Sequence, residues 1–173
     1  ENCFSVNQPQ YGNMKLFWAP MLQKKQLAAK HPIVKNLGYV IFLQGGTVDA
    51  SEAQANKNLK TTILAKSSEK SWVQSKDIQL YPNMQAPIDR SIEKSENLAV
   101  LVEGKFPSAF DKSPTKQENN ETGISANTHI SQGTQNGKLF VVNTSFITSN
   151  QLVDPECSEP VAMFVRNAID YMN

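Results

Sequence analysis

The chain has 173 residues, enough for one domain with a single sizeable core and too few for several. Its 17 Lys and Arg against 16 Asp and Glu leave a formal charge of +1 with both signs interspersed, which argues against a nucleic-acid footprint or a basic membrane anchor. The apolar fraction of 39% is low, with Asn, Gln, Ser, Thr and Lys filling the difference, and no apolar run approaches the ~20 residues of a spanning helix.

The sequence opens at Glu1 with neither Met nor a signal peptide, so the expectation is a domain excised from a longer protein, with any anchor outside it. Residues 1–26 carry Pro9, Gly12 and Pro20 among Met14, Leu16, Phe17, Trp18, Met21 and Leu22, and read as an irregular or edge-strand segment laid over a core. His31-Pro32 stops any helix, because the residue before proline is pushed towards extended geometry. The run from Gly38 to Leu43, ending at Gly45-Gly46, has the continuous apolar character of a buried strand.

After a polar stretch from Asp49 to Lys60, Thr61 to Lys66 reads as a strand with Ile63 and Ala65 on one face, closed by Ser67-Ser68. Ser71-Trp72-Val73 begins a further short segment. Prolines 82 and 87 make 77–96 a loop with a strand-like piece around Ile78 and Leu80. Leu98 to Phe106 is the strongest strand, and its apolar centre places it in the middle of a sheet.

Residues 111–137 hold almost no large apolar side chain and are expected to form a mobile excursion. Lys138 to Asn143 is a second continuous strand. The chain ends in a helix with Ser158 as N-cap, Glu159 and Pro160 in the first turn, and Val161, Phe164, Val165, Ala168, Ile169 and Met172 at helical spacing. Strands with a single convincing helix give a mixed α/β domain spanning 1–173, with too few helices to cover both faces of a parallel sheet. The rest of such a sheet would lie outside this sequence.

The chemistry-bearing residues do not converge on a motif. Cys3 and Cys157 would close a large loop in an oxidising compartment and otherwise stand as unpaired thiols; their separation fits no CxxC metal or redox site. His31 and His129 are the only histidines, and neither has zinc-site spacing. His129 is expected as a solvated loop residue, and His31 in a local task such as bonding a backbone carbonyl at a turn. Ser108 and Ser145 lack a G-x-S-x-G elbow, and no glycine cluster makes a P-loop or dinucleotide fingerprint. Asp154, Glu156 and Glu159 gather where a helix start favours negative charge. The expectation is a non-enzymatic chain without catalytic residues, cofactor or metal.

Trp18 and Trp72 admit two readings, core packing and an exposed platform for a sugar ring. In the segment Lys105, Phe106, Pro107, Ser108, Ala109, Phe110, either the two phenylalanines plug the core or the stretch is an interaction edge, with Lys105, Phe106, Ser108 and Phe110 as its candidate residues.

His31-Pro32-Ile33-Val34-Lys35-Asn36-Leu37, Thr62 to Ala65 with Ser67-Ser68 and Ser71-Trp72, and above all Leu98 to Phe110 resemble the GldG-like auxiliary proteins of ABC-type transport systems. Gly137 to Val142 followed by Phe164 to Tyr171, with Asn167 in the last helix, resembles the ending of that family. The resemblance implies an extracytoplasmic, periplasmic-side module held to the inner membrane by helices outside this sequence. It further implies work beside an ABC permease and its ATPase, in some bacteria for gliding motility. It implies the C-terminal part of the soluble domain and a kinship with flavodoxin-like and glutamine-amidotransferase-like α/β folds, whose first βαβ units are absent from this chain. The alternative function is a carbohydrate-like ligand-binding or hydrolytic α/β domain. That role needs a deep pocket with converging polar groups, whereas an interaction module needs an exposed edge or patch.

Overall fold

The apolar run at 98–102 becomes the centre of the second half of the molecule. In the computed structural model, which describes residues 3–81, 86–112, 129–149 and 159–173, Leu98 to Val102 are all buried on strand β5, Asn97–Gly104. Strands β4, Leu59–Lys66, and β6, Gly137–Val142, flank it, giving an antiparallel sheet in the order β4-β5-β6. A strand paired on both edges and covered on both faces has no place for a polar side chain, which is why the run is uninterrupted.

The other sheet is built from residues 3–41. Strand β1, Cys3–Gln8, and the twelve-residue β2, Gly12–Gln23, form a hairpin, and the short β3, Tyr39–Ile41, pairs with the end of β2. Gly12, at φ +70°, follows the turn closed by Tyr11 N donating to Gln8 O at 3.1 Å. Of the two readings of 1–26, irregular or edge-strand, the strand one fits: the segment forms a long hairpin whose β1 lies at the sheet edge. The buried strand expected over 38–43 is instead a short edge strand that alternates, with Tyr39 exposed and Val40 and Phe42 buried. Its pairing runs on beyond Ile41, as Phe42 N donates to Pro20 O at 3.0 Å and Gln44 N to Trp18 O at 2.8 Å.

His31 opens a turn rather than ending a helix. Its carbonyl accepts from Val34 N and Lys35 N at 3.1 and 2.9 Å, Pro32 takes the first position where no N–H is needed, and Asn36 closes the turn at φ +65°. The turn drives Ile33, Val34 and Leu37 into the core.

Ile63 and Ala65 do not share a face. The register with β5 slips between them, Ile63 opposing Val100 and Ala65 opposing Ala99, so Leu64 is an inserted residue. Ile63 packs with Val100, Val102, Ala50 and Phe106 under the short helix α1, Ser51–Ala55, while Leu64 and Ala65 face the main core.

The two sheets meet where Leu27 bridges Ala65 and Ala28 N donates to Leu64 O at 2.9 Å. Helix α2, Pro160–Met172, starts from Glu159 with Pro160 at its first position and closes the core. Phe164 is fully buried, its ring centroid 6.1 Å from that of Phe42 and 5.6 Å from that of Phe140, so one side chain joins both sheets. Ile169, expected in the buried stripe, is 57% exposed. The expected cap Ser158, together with Cys157, Asp154 and Glu156, lies outside the described residues, as does 113–128 of the expected loop.

The mixed α/β class is as expected. The described strand pairs are nevertheless antiparallel, where a flavodoxin-like core has parallel ones.

Candidate functional site

Pro20 has no N–H for the β1–β2 ladder, and the register breaks beside it: Cys3 opposes Pro20 but Phe4 opposes Leu16. Phe17, Trp18 and Ala19 are left without partners on β1. Ala19 turns into the interior, while Phe17 and Trp18 line a cleft of about 840 Å³.

The opposite wall comes from the segment after β4. Ser67, which is buried, accepts from Glu96 N through Oγ at 2.8 Å, and its carbonyl accepts from Ser95 Oγ at 2.9 Å. Ser71 O accepts from Lys94 N at 2.8 Å, and the Ser68 and Ser71 hydroxyls are 3.2 Å apart. These bonds fix the turn that presents Trp72, whose ring lies 5.3 Å from that of Phe17 at an interplanar angle of 56°. The third wall is Gln44 to Thr47, held by Gly46 N donating to Asn143 O at 3.1 Å, by Asn143 Nδ2 donating to Thr47 O, and by Thr144 Oγ1 donating to Leu43 O at 2.5 Å.

Lys15, Lys70, Arg90, Glu93 and Glu96 are the charged residues of the lining, and both carboxylates are paired. Arg90 pairs with Glu93, and Lys94 pairs with Glu96 at 2.9 Å, an interaction that raises the lysine pKa above its ordinary value. Trp18 Nε1 is buried in the wall with no acceptor among the described residues. Neither tryptophan belongs to the core; both are half-buried and both line the cleft.

The segment expected as an interaction edge forms the stem of a second hairpin. Gly133 N donates to Phe106 O at 2.8 Å, Ser108 N to Ser131 O at 2.8 Å, and Gln132 Nε2 to Lys105 O at 3.2 Å. Phe106 packs on the Val100–Val102 cluster, but Phe110 is 57% exposed and Lys105 is exposed. Ser108 Oγ accepts from Phe110 N at 3.1 Å, a local turn bond. Of the two phenylalanines, one plugs the core and the other does not.

His31 has a cluster of polar neighbours that sequence reasoning missed. Its Nδ1 accepts from Ile33 N at 3.3 Å, so it bonds a backbone N–H rather than the expected carbonyl. Its ring lies 4.9 Å from that of Tyr171, whose hydroxyl donates to Glu103 Oε1 at 2.9 Å. Lys138 Nζ donates to Tyr171 O at 2.5 Å and sits 4.6 Å from the centre of its ring, and Asn167 Nδ2 donates to Ile33 O at 3.2 Å. Burial lowers the His31 pKa, with Glu103 opposing and Lys60 assisting. The helical spacing of Asn167 and Tyr171 was the one available signal, since it sets both on one face of the last helix. Ser145 starts a 3-10 turn whose cap is Thr144, and His129 is half-buried, its Nε2 without a partner among the described residues.

A family model described as an ABC-type uncharacterized transport system matches residues 3–170, nearly the whole chain. The chain belongs to this family. It is an auxiliary component of an ABC-type transport system, and the cleft, the 105–110 stem and the His31–Tyr171 cluster are features of that auxiliary protein. No curated protein and no solved structure gives a significant match. Among the described residues, no helix is long and apolar enough to cross a membrane.

Proposed function

We propose that this chain is a non-catalytic, GldG-like module that assembles with the permease and ATPase of an ABC-type transport system. It works on the periplasmic side of the inner membrane, to which segments outside this sequence anchor it, and in some bacteria serves gliding motility. By the same reading it is the C-terminal part of the soluble domain. The family match over residues 3–170 carries the reading. His31 and Ser108 also have structural employment, His31 capping a turn and Ser108 holding a bend.

The contact to the complex is assigned to the stem bearing Lys105, Phe106, Ser108 and Phe110. Phe106 anchors it to the second core cluster and Phe110 stands exposed at its end, an arrangement suited to burying an aromatic ring against a partner.

The test is affinity purification of the full-length protein from its native host, with the accompanying subunits identified by mass spectrometry. A permease and an ATPase should co-purify, and fewer of both should be recovered with Lys105→Ala and Phe110→Ala. Absence of both subunits, under conditions that preserve a known membrane complex, would reject the module. Full recovery with the folded double variant would reject the stem as its contact.

A further inference from the structure

The geometry points to the cleft between β2, the 44–47 segment and the Ser67–Trp72 turn as a binding site for a saccharide, a site separate from the stem proposed to meet the transporter. Its failure would leave the proposed assembly intact.

Three observations carry the assignment. The first is shape and surface: about 840 Å³ lies between walls whose largest side chains are Phe17, Trp18 and Trp72, none fully buried. Small-molecule sites fall in roughly this size range, between 300 and 1,000 Å³. Aromatic rings held half-open by a break in strand pairing and by a hydrogen-bonded serine turn offer apolar faces of the kind that the C–H side of a pyranose covers.

The second is polarity. Gln44, Gly45, Gly46, Thr47, Ser68 and Ser71, residues that carry amide, carbonyl and hydroxyl groups, line the same space. Such groups both donate and accept, as sugar hydroxyls do.

The third is electrostatic. Both lining carboxylates, Glu93 and Glu96, are already paired with Arg90 and Lys94, so neither is left to select a cation, while Lys15 and Lys70, which also line the cleft, bring ammonium donors of the kind that sugar hydroxyls accept from. A purely apolar ligand would desolvate the polar ends of Lys15 and Gln44, which line the same space, at a cost in affinity.

The two tryptophans of the chain both line this cleft, so intrinsic fluorescence reports on it directly. The purified protein would be titrated with cellotetraose, maltotetraose, xylotetraose and mannotetraose up to millimolar concentration, followed by fluorescence and calorimetry. An acidic peptide and a fatty acid serve as controls. At least one tetrasaccharide should shift or quench the emission saturably. Trp72→Ala should weaken that binding by about tenfold or more, and Trp72→Phe, which keeps a ring, by less.

Saturation-transfer NMR on the unmodified protein gives a readout independent of whether the variants fold, and it should place ligand ring protons against aromatic side chains. Failure of all four saccharides to bind would overturn the proposal. So would binding that Trp72→Ala leaves unchanged, or a response only to the peptide or the fatty acid.

Discussion

At Gly104 the backbone adopts φ +137°, and a Cβ there would fall inside the van der Waals radius of Asn58 O. The residue ends β5 opposite Leu59 on one side and Gly137 on the other, so neither neighbour can move without breaking a ladder. Gly104→Ala should therefore lower stability by ~1–3 kcal/mol, read as a lower urea midpoint at unchanged slope; an unchanged midpoint would contradict the reading.

His31 supplies a pH dependence. Its Nδ1 must stay unprotonated to accept from Ile33 N, and burial lowers its pKa below the ordinary imidazole value, about 6.5. The unfolded chain then binds more protons than the folded one between the lowered value and the ordinary one, so stability is full above that window and is lost as pH falls through it. Glu103 and Lys60, the charged groups acting on the ring, pull in opposite directions. His31→Asn keeps an acceptor for the turn and should flatten the fall in melting temperature below about pH 6.5. A slope identical to that of the unmodified protein would show that the dependence arises elsewhere.

At the scale of elements, α2 is fastened chiefly through Phe164, which touches Phe42 of the first sheet's extension and Phe140 of the second. Phe164→Ala should cost ~3–5 kcal/mol and expose both partners, measurable by chemical denaturation and by dye binding; a loss below ~1 kcal/mol would mean that the helix is not held there. The sequence announced this helix by its 3.6-residue spacing and announced β5 by its unbroken apolar run. It did not announce the slip at Leu64, because alternation assigns faces on the assumption of an unbroken register, and an inserted residue moves every later side chain to the other face. The hairpin of residues 3–23 was hidden for a related reason: Pro20 and Gly12 read as breakers, yet they mark the break in pairing and the end of the turn. Trp18 and Trp72 could be named as candidates from sequence, but their convergence on one cleft depends on the three residues of β2 that lack partners on β1 and on the turn at Ser67, neither of which leaves a local signature.

For the whole molecule, the legible part was the class and the central strand, while the relation between the sheets was not. That relation rests on contacts distant in sequence. Thr144 Oγ1 bonds Leu43 O across 101 positions, Asn143 bonds Thr47 O across 96, and Asn167 bonds Ile33 O across 134. Such pairings are slow to form because the intervening chain must be closed first. They also have an order imposed by synthesis. As the chain leaves the ribosome, β1 to β3 emerge long before Asn143, Thr144 and Phe164 exist to cover Phe42 and the 43–47 wall. The early hairpin must wait with apolar surface exposed until the final helix arrives, which makes the nascent chain, rather than the finished domain, the form most in need of a chaperone.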